Sequence, residues 1–209
     1  MKNKIIFASV VALVFTLAAL TGFYGPAKLK AYQGEKLQES FTPGSVPKLV
    51  LDRFSRQFAK VLVASEAQYM PEEPFLDPKS NTVRMRDFQG RPTLVNLWAT
   101  WCAPCVVELP SLEKFEKHYR GRINVLAVAV EEGKDPGDIA KFLESRLLGD
   151  FAGYVDKGGR FASNLGIRGI PTSFVIGSDG LILYRLEGDA DWTSPEVQAF
   201  FDILLLQNR

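Results

Sequence analysis

The chain has little cysteine, almost no histidine and no excess of either charge. Its 209 residues include two cysteines and one histidine. Two cysteines close at most one internal disulfide, which excludes a small secreted scaffold held together by several bridges. A structural zinc site wants four ligands, mostly Cys or His, and this inventory falls short of a complete set within one chain. Haem attachment through a Cys-x-x-Cys needs histidine directly after the second cysteine, and Val106 stands there. The 25 basic and 24 acidic residues nearly cancel, to a formal net charge of +1. No basic run is interleaved with stacking aromatics, so nothing points to a nucleic-acid partner. Internal repeats and low-complexity tracts are also missing.

The two cysteines sit together in Trp101-Cys102-Ala-Pro-Cys105. The preceding run, Thr93–Trp98, is rich in β-branched and aromatic residues and predicts a buried strand. Beyond Cys105, residues Val106, Leu109, Leu112, Phe115 and Tyr119 recur at helical spacing. The pair therefore falls where a strand hands over to a helix. A helix N-terminus offers free N–H groups and a partial positive charge, and both favour a thiolate over a thiol. The thiolate is the reactive form, and such motifs hold it well below the free-cysteine pKa of about 8.5. Cys102 is expected to be the exposed nucleophile. Cys105, one turn further in, is expected to resolve a mixed disulfide formed on Cys102. Pro104 suits a first helical turn, where its missing N–H costs little. A disulfide spanning three residues closes almost no loop, so a purely stabilising role is a weak alternative.

Before this core the chain opens with Lys2 and Lys4, then Ile5–Tyr24, twenty residues without a charge or proline. A bilayer core needs roughly 20 apolar residues as helix, and flanking lysines keep the N-terminus cytoplasmic. Residues 1–27 are thus expected to anchor the chain, with a cleaved signal peptide as the rival. Residues 28–66 are expected to form a linker and an amphipathic helix from Val46-Pro47 to about Ala64. That helix carries Leu51, Phe54, Phe58, Val61 and Leu62 on one face. Packing on the domain is the first reading for it, and lying on the membrane surface the second. Residues 67–209 are expected to form the remaining domain. Val83–Met85, Ile123–Val130, Phe151–Val155, Ser173–Ile176 and Leu181–Leu186 are expected strands. Helices are expected from Asp135 to about Leu147, over Arg160–Leu165, and from Ser194 onward. This order gives an α/β fold with a central mixed sheet and helices on both faces.

Several motifs resemble the thioredoxin superfamily. Trp101–Cys105 matches its Trp-Cys-x-Pro-Cys. Gly169-Ile-Pro-Thr172, just before a strand, matches the place where that superfamily has a cis proline against the active-site disulfide. Pro110 falls where its active-site helix kinks. The chain further resembles the membrane-anchored TlpA/ResA/CcmG group of thiol–disulfide reductases. The residues that carry this are Phe88–Cys102, Glu108-Leu-Pro110 and, in TlpA-like form, Gly188-Asp-Ala-Asp-Trp192. The resemblance covers about residues 70–206. It implies a thioredoxin fold with a central αβ insert around Asp135–Val155 and N-terminal additions, behind a transmembrane helix.

The resemblance also implies roles. Cys102 and Cys105 exchange disulfides, and Pro171 leaves the preceding backbone open to an extended substrate segment. Trp101, Ala103, Pro104 and Ile170 are the expected substrate contacts. Glu108 is expected to tune the cysteines, because Asn96 stands where thioredoxins carry a proton-moving aspartate. A solvated helix glutamate is the plain alternative for Glu108, and an ordinary turn proline for Pro171. Trp98 and Trp192 are expected in the core and His118 on the surface. No cofactor or metal is called for. The implied partners are protein disulfides, in cytochrome c maturation or copper-site assembly of cytochrome oxidase, with an electron donor of the DsbD/CcdA kind. The implied location is the bacterial inner membrane, single-pass, with the domain in the periplasm. Copper binding by the same dithiol and oxidation of folding proteins remain the alternatives.

Overall fold

The computed structural model describes residues 46–207. The expected anchor at 5–24 and most of the linker lie outside the described residues. No described helix is long and apolar enough to cross a membrane.

The chain from Val46 folds as one compact unit. Helix α1 (Lys48–Ser55) leads to strand β1 (Lys60–Val63). Two short strands, β2 (Phe75–Leu76) and β3 (Thr82–Val83), and a 3-10 turn (Met85–Phe88) precede β4 (Thr93–Trp98). Then come α2 (Ala103–Tyr119), β5 (Asn124–Ala129), α3 (Pro136–Ser145), β6 (Gly153–Val155) and α4 (Arg160–Asn164). Strands β7 (Thr172–Ile176) and β8 (Ile182–Glu187) and helix α5 (Pro195–Gln207) complete it. All eight strands form one mixed sheet in the order β1-β8-β7-β4-β5-β6-β2-β3. β4 lies at its centre, parallel to β5 and antiparallel to β7. This is the thioredoxin fold, with α3 and β6 inserted after β5.

The central strand is apolar on both faces because both faces are covered, as expected for a buried strand between helical layers. Leu94 and Trp98 point into a core shared with α1, α2 and α5, while Val95 and Leu97 point into the second core with Phe75, Phe161 and Phe174. Asn96 shares the first face by the two-residue period of a strand, and it is fully buried. A buried carboxamide there requires polar partners, and they are the starting point of the site.

Two sequence expectations need correction. The helix expected from Val46 to about Ala64 ends at Ser55, and Lys60–Val63 is a strand paired antiparallel with β8. The Lys-Val-Leu-Val stretch is β-prone and completes the sheet edge, so pairing overrides the apolar periodicity that suggested one long helix. The helix that remains packs on the domain: Phe54 is buried and stacks on Phe200 with ring centroids 3.8 Å apart. The second correction is at Val83–Met85, where the strand stops at Val83 and Met85 begins the 3-10 turn.

Glycine matters at Gly188. Its φ of +94° suits a residue without a side chain, and an added Cβ would come within 2.9 Å of the Ala59 Cβ. Its N–H donates to the Pro171 carbonyl at 3.0 Å. That bond fixes the start of the segment Gly188–Trp192 beside the active-site loops.

Candidate active site

Cys102 and Cys105 are joined as a disulfide at the start of α2. Cys102 is the N-cap, and its Sγ accepts from the Cys105 N–H at 3.3 Å. On reduction the same N–H and the helix dipole face the sulfur that becomes the thiolate, which is the physical basis of its activation. The expectation of an exposed Cys102 needs correction: in the disulfide it is 5 % exposed and buried, with the Ile170 carbonyl over its sulfur, and Cys105 is fully buried. Around Cys102 the surface is apolar. Trp101 is 69 % exposed, and Ala103 and Pro104 are exposed beside it.

The loop before β7 closes the other side. The Ile170–Pro171 peptide is cis, as the motif implied, and the Ile170 carbonyl oxygen lies 3.7 Å from Cys102 Sγ. Trp101, Ala103, Pro104, Ile170 and Pro171 thus gather around one sulfur, although nearly seventy residues of sequence separate the two groups. The loop before Cys102 is held from the segment that follows β5. Glu131 Oε2 accepts from the Thr100 N–H at 3.0 Å and from its hydroxyl at 2.7 Å. Sequence reading passed over Glu131, whose one available signal was its place at the end of an apolar strand.

The inward side of α2 is polar. Glu108, one turn after Cys105, is 2 % exposed. It is therefore not a solvated helix glutamate. Its Oε1 accepts from Asn96 Nδ2 at 2.8 Å, and its Oε2 from the Ala190 N–H at 3.1 Å and the Trp192 indole N–H at 3.0 Å. Burial pushes the carboxyl up from its ordinary 4.5 to about 7, against the pull of these three N–H donors, and nearby Asp189 pushes it further the same way. Asn96 Nδ2 also donates to Ser173 Oγ at 2.9 Å, across the register pair that joins β4 to β7. Trp192 is in the core, as expected, and also holds Glu108, which its position in the sequence did not reveal. Trp98 is buried and His118 exposed, as expected.

A two-cysteine motif capping a helix, faced by a cis proline on a mixed α/β sheet, defines a thioredoxin-fold dithiol–disulfide protein. Residues 63–203 match the Redoxin family model, and the chain belongs to that family. Within it, the chain is a thiol–disulfide oxidoreductase of the TlpA/ResA/CcmG kind. It is 33% identical over 144 residues to the thiol:disulfide interchange protein CycY of Rhizobium leguminosarum bv. viciae, covering 66% of this chain and 73% of that one. It is 26% identical over 188 residues to the thiol–disulfide oxidoreductase ResA of Bacillus cereus, covering 90% of each. Among solved structures it resembles a protein assigned as the thiol:disulfide interchange protein DsbE of Chlorobium tepidum. That match has 25% identity and a TM-score of 0.58, over 68% of this chain and 98% of that one.

Proposed function

We propose that this oxidoreductase reduces disulfides in particular partner proteins, from a membrane anchor at residues 5–24, in the periplasm. The observation that carries the reading is Cys102 Sγ, the less buried of the two cysteine sulfurs, set between an apolar rim and the Ile170 carbonyl. Such a site takes an extended, apolar segment that carries a disulfide. In the reduced protein the Cys102 thiolate attacks one partner sulfur, and the partner's other sulfur leaves as a thiolate. Cys105 then attacks Cys102 Sγ and releases the second partner thiolate. Two electrons pass to the partner, and the protein is left as the disulfide seen here. Cys105 must lose its proton before it attacks, and a carboxylate one turn away that titrates near neutrality is suited to take it. Glu108 is assigned that role, with Pro171 and Ile170 shaping the groove.

The family resemblance supports partners in cytochrome c maturation or in copper-site assembly of cytochrome oxidase. It likewise supports recharging by a DsbD/CcdA-type donor. The uncharged stretch Ile5–Tyr24 supports the anchor. Equilibration of the Cys102–Cys105 pair with a thiol redox buffer tests the direction. A potential below roughly −200 mV is expected of a reductase in an oxidising compartment. A potential near that of a strong oxidant reverses the direction. Absence of any two-electron transition removes the exchange reading and favours copper binding by the dithiol.

A further inference from the structure

The cage around Glu108 contains one unpaired atom. Asn96 is fully buried, both of its N–H groups are used, and its Oδ1 has no hydrogen-bond partner among the described residues. A buried acceptor without a donor is costly, and a structure that keeps one invites a reason. The reason lies in the polarity of the cage. Glu108 Oε2 is faced by a backbone N–H and an indole N–H. Each carries a single proton and neither can accept. A proton arriving on Glu108 therefore belongs on Oε1. Oε1 faces Asn96 Nδ2 at 2.8 Å. An acid O–H cannot face an N–H, so the present arrangement suits the carboxylate alone.

Asn96 is the member of the cage that can reverse. The two ends of a carboxamide are nearly the same size, so turning one over needs no repacking. We infer that Asn96 is a positioning residue for Glu108, whose carboxamide turns over when the carboxyl gains a proton. The ionised state receives Nδ2, and the protonated state donates to Oδ1. Ser173 follows the change. Its hydroxyl accepts from Nδ2 at 2.9 Å in this structure and donates to Oδ1 in the other, because a hydroxyl serves either way. In the turned state Oδ1 has two donors and Nδ2 becomes the unpaired end. This state leaves one acceptor unpaired and the turned state two N–H donors, so the turned state depends on the new bond from the Glu108 acid O–H. An aliphatic residue at position 96 lacks this two-way capacity, and an aspartate has it only by titrating itself. An aspartate would add a second acid beside Glu108.

The groups facing Glu108 are few. α2 contributes Cys105, uncharged while in the disulfide. β4 and β7 contribute the uncharged Asn96 and Ser173. The segment before α5 contributes Ala190, Trp192 and the negative Asp189. Burial raises the proton affinity of Glu108 most, the three N–H donors lower it, and Asp189 adds a smaller push upward. A carboxyl balanced in this way changes state near neutrality, where the turnover of Asn96 has to occur for the site to hold and release a proton.

The inference rests on the proton-holding role given to Glu108 above. Its test uses the oxidised full chain, without partner or turnover, so a potential that reverses the proposed direction leaves it intact. The probe is nuclear magnetic resonance of protein labelled in asparagine side chains and glutamate carboxyls, from pH 5 to 9. Asn96 is assigned by the signal lost in Asn96→Ser. The Asn96 side-chain N–H signals are expected to shift with the midpoint of the Glu108 carboxyl. Their through-space contact to the Ser173 β-protons is expected at high pH and lost at low pH. In Glu108→Gln the Asn96 signals are expected to be level with pH. A contact to Ser173 that persists across the Glu108 titration overturns the inference. So does an Asn96 shift that survives in Glu108→Gln, or a Glu108 carboxyl that does not titrate in this range.

Discussion

The two sides of the first turns of α2 are built from opposite materials. The outward side carries Trp101, Ala103, Pro104 and Val107, all exposed and all apolar. The inward side carries Glu108, an acid with almost no contact with water, held by a strand carboxamide, a backbone amide and an indole. Burial rules run in reverse here: the apolar groups face water and the carboxyl faces the core. Exposed apolar surface around a reactive sulfur is suited to dock a partner. A buried acid is suited to hold a proton at neutral pH. Each side departs from the ordinary pattern where exchange needs it.

The contrast breaks most completely at the sulfurs between the two sides. Cys102→Ser is expected to bring dithiol exchange down to the uncatalysed rate, whereas Cys105→Ser is expected to accumulate mixed disulfides with partners, read by non-reducing electrophoresis. Release of free product by Cys105→Ser at the native rate would remove Cys105 from the resolving role.

The inward side is tested by stability against pH. The folded-state pKa of Glu108 is raised from 4.5 to about 7. The folded protein therefore holds a proton that the unfolded chain has released, and stability falls as pH rises from about 4.5 to about 7 and is level above. The full fall is about 3 kcal/mol, at about 1.4 kcal/mol per pKa unit. Urea unfolding of the oxidised protein across that range is expected to show this loss, and Glu108→Gln is expected to lack it. An equal pH dependence in both proteins would show that Glu108 titrates normally.

Trp192→Phe is a smaller change on the same side. It leaves Glu108 Oε2 with the Ala190 N–H alone, so the carboxyl pKa is expected to rise further. Stability at pH 8 is expected to fall by about 1–3 kcal/mol, the cost of a lost bond to a buried charged group. A Glu108 titration unmoved in Trp192→Phe would assign Trp192 to packing alone.

The outward side has the smallest expected effect on the protein itself. Trp101→Ala is expected to leave the unfolding midpoint unchanged, because the side chain is 69 % exposed. It is expected to lower kcat/KM toward a protein disulfide about tenfold, equivalent to about 1.4 kcal/mol of docking energy. Reduction of a small disulfide reagent is expected to be nearly unaffected. Equal losses toward both substrates would place Trp101 in the chemistry rather than in docking.

Much of the outward side was legible in the sequence. The strand Thr93–Trp98, the helix after it and the two cysteines between them are contiguous, and local periodicity and motif spacing describe contiguous structure well. The inward side was only half legible. Glu108 was marked by its place after Cys105, but a lone glutamate on a helix gives no sign of burial. Its partners lie twelve residues upstream at Asn96 and more than eighty downstream at Ala190 and Trp192. The extent of α1 failed for the same reason. The stretch after Ser55 has helical periodicity of its own, and its strand state exists only through pairing with β8.

The sequence by itself determined the chemistry available: one dithiol at a helix start, no metal set among its cysteines and histidine, and a balanced charge. The tertiary structure decided what that dithiol meets. It brought the Ile170–Pro171 turn onto Cys102, closed the Gly188–Trp192 segment over Glu108, and left Asn96 with one unpaired oxygen. The physical reason is that covalent spacing fixes which groups are neighbours along a chain. Burial and hydrogen bonding across the sheet fix which are neighbours in space, and proton affinity follows the second kind.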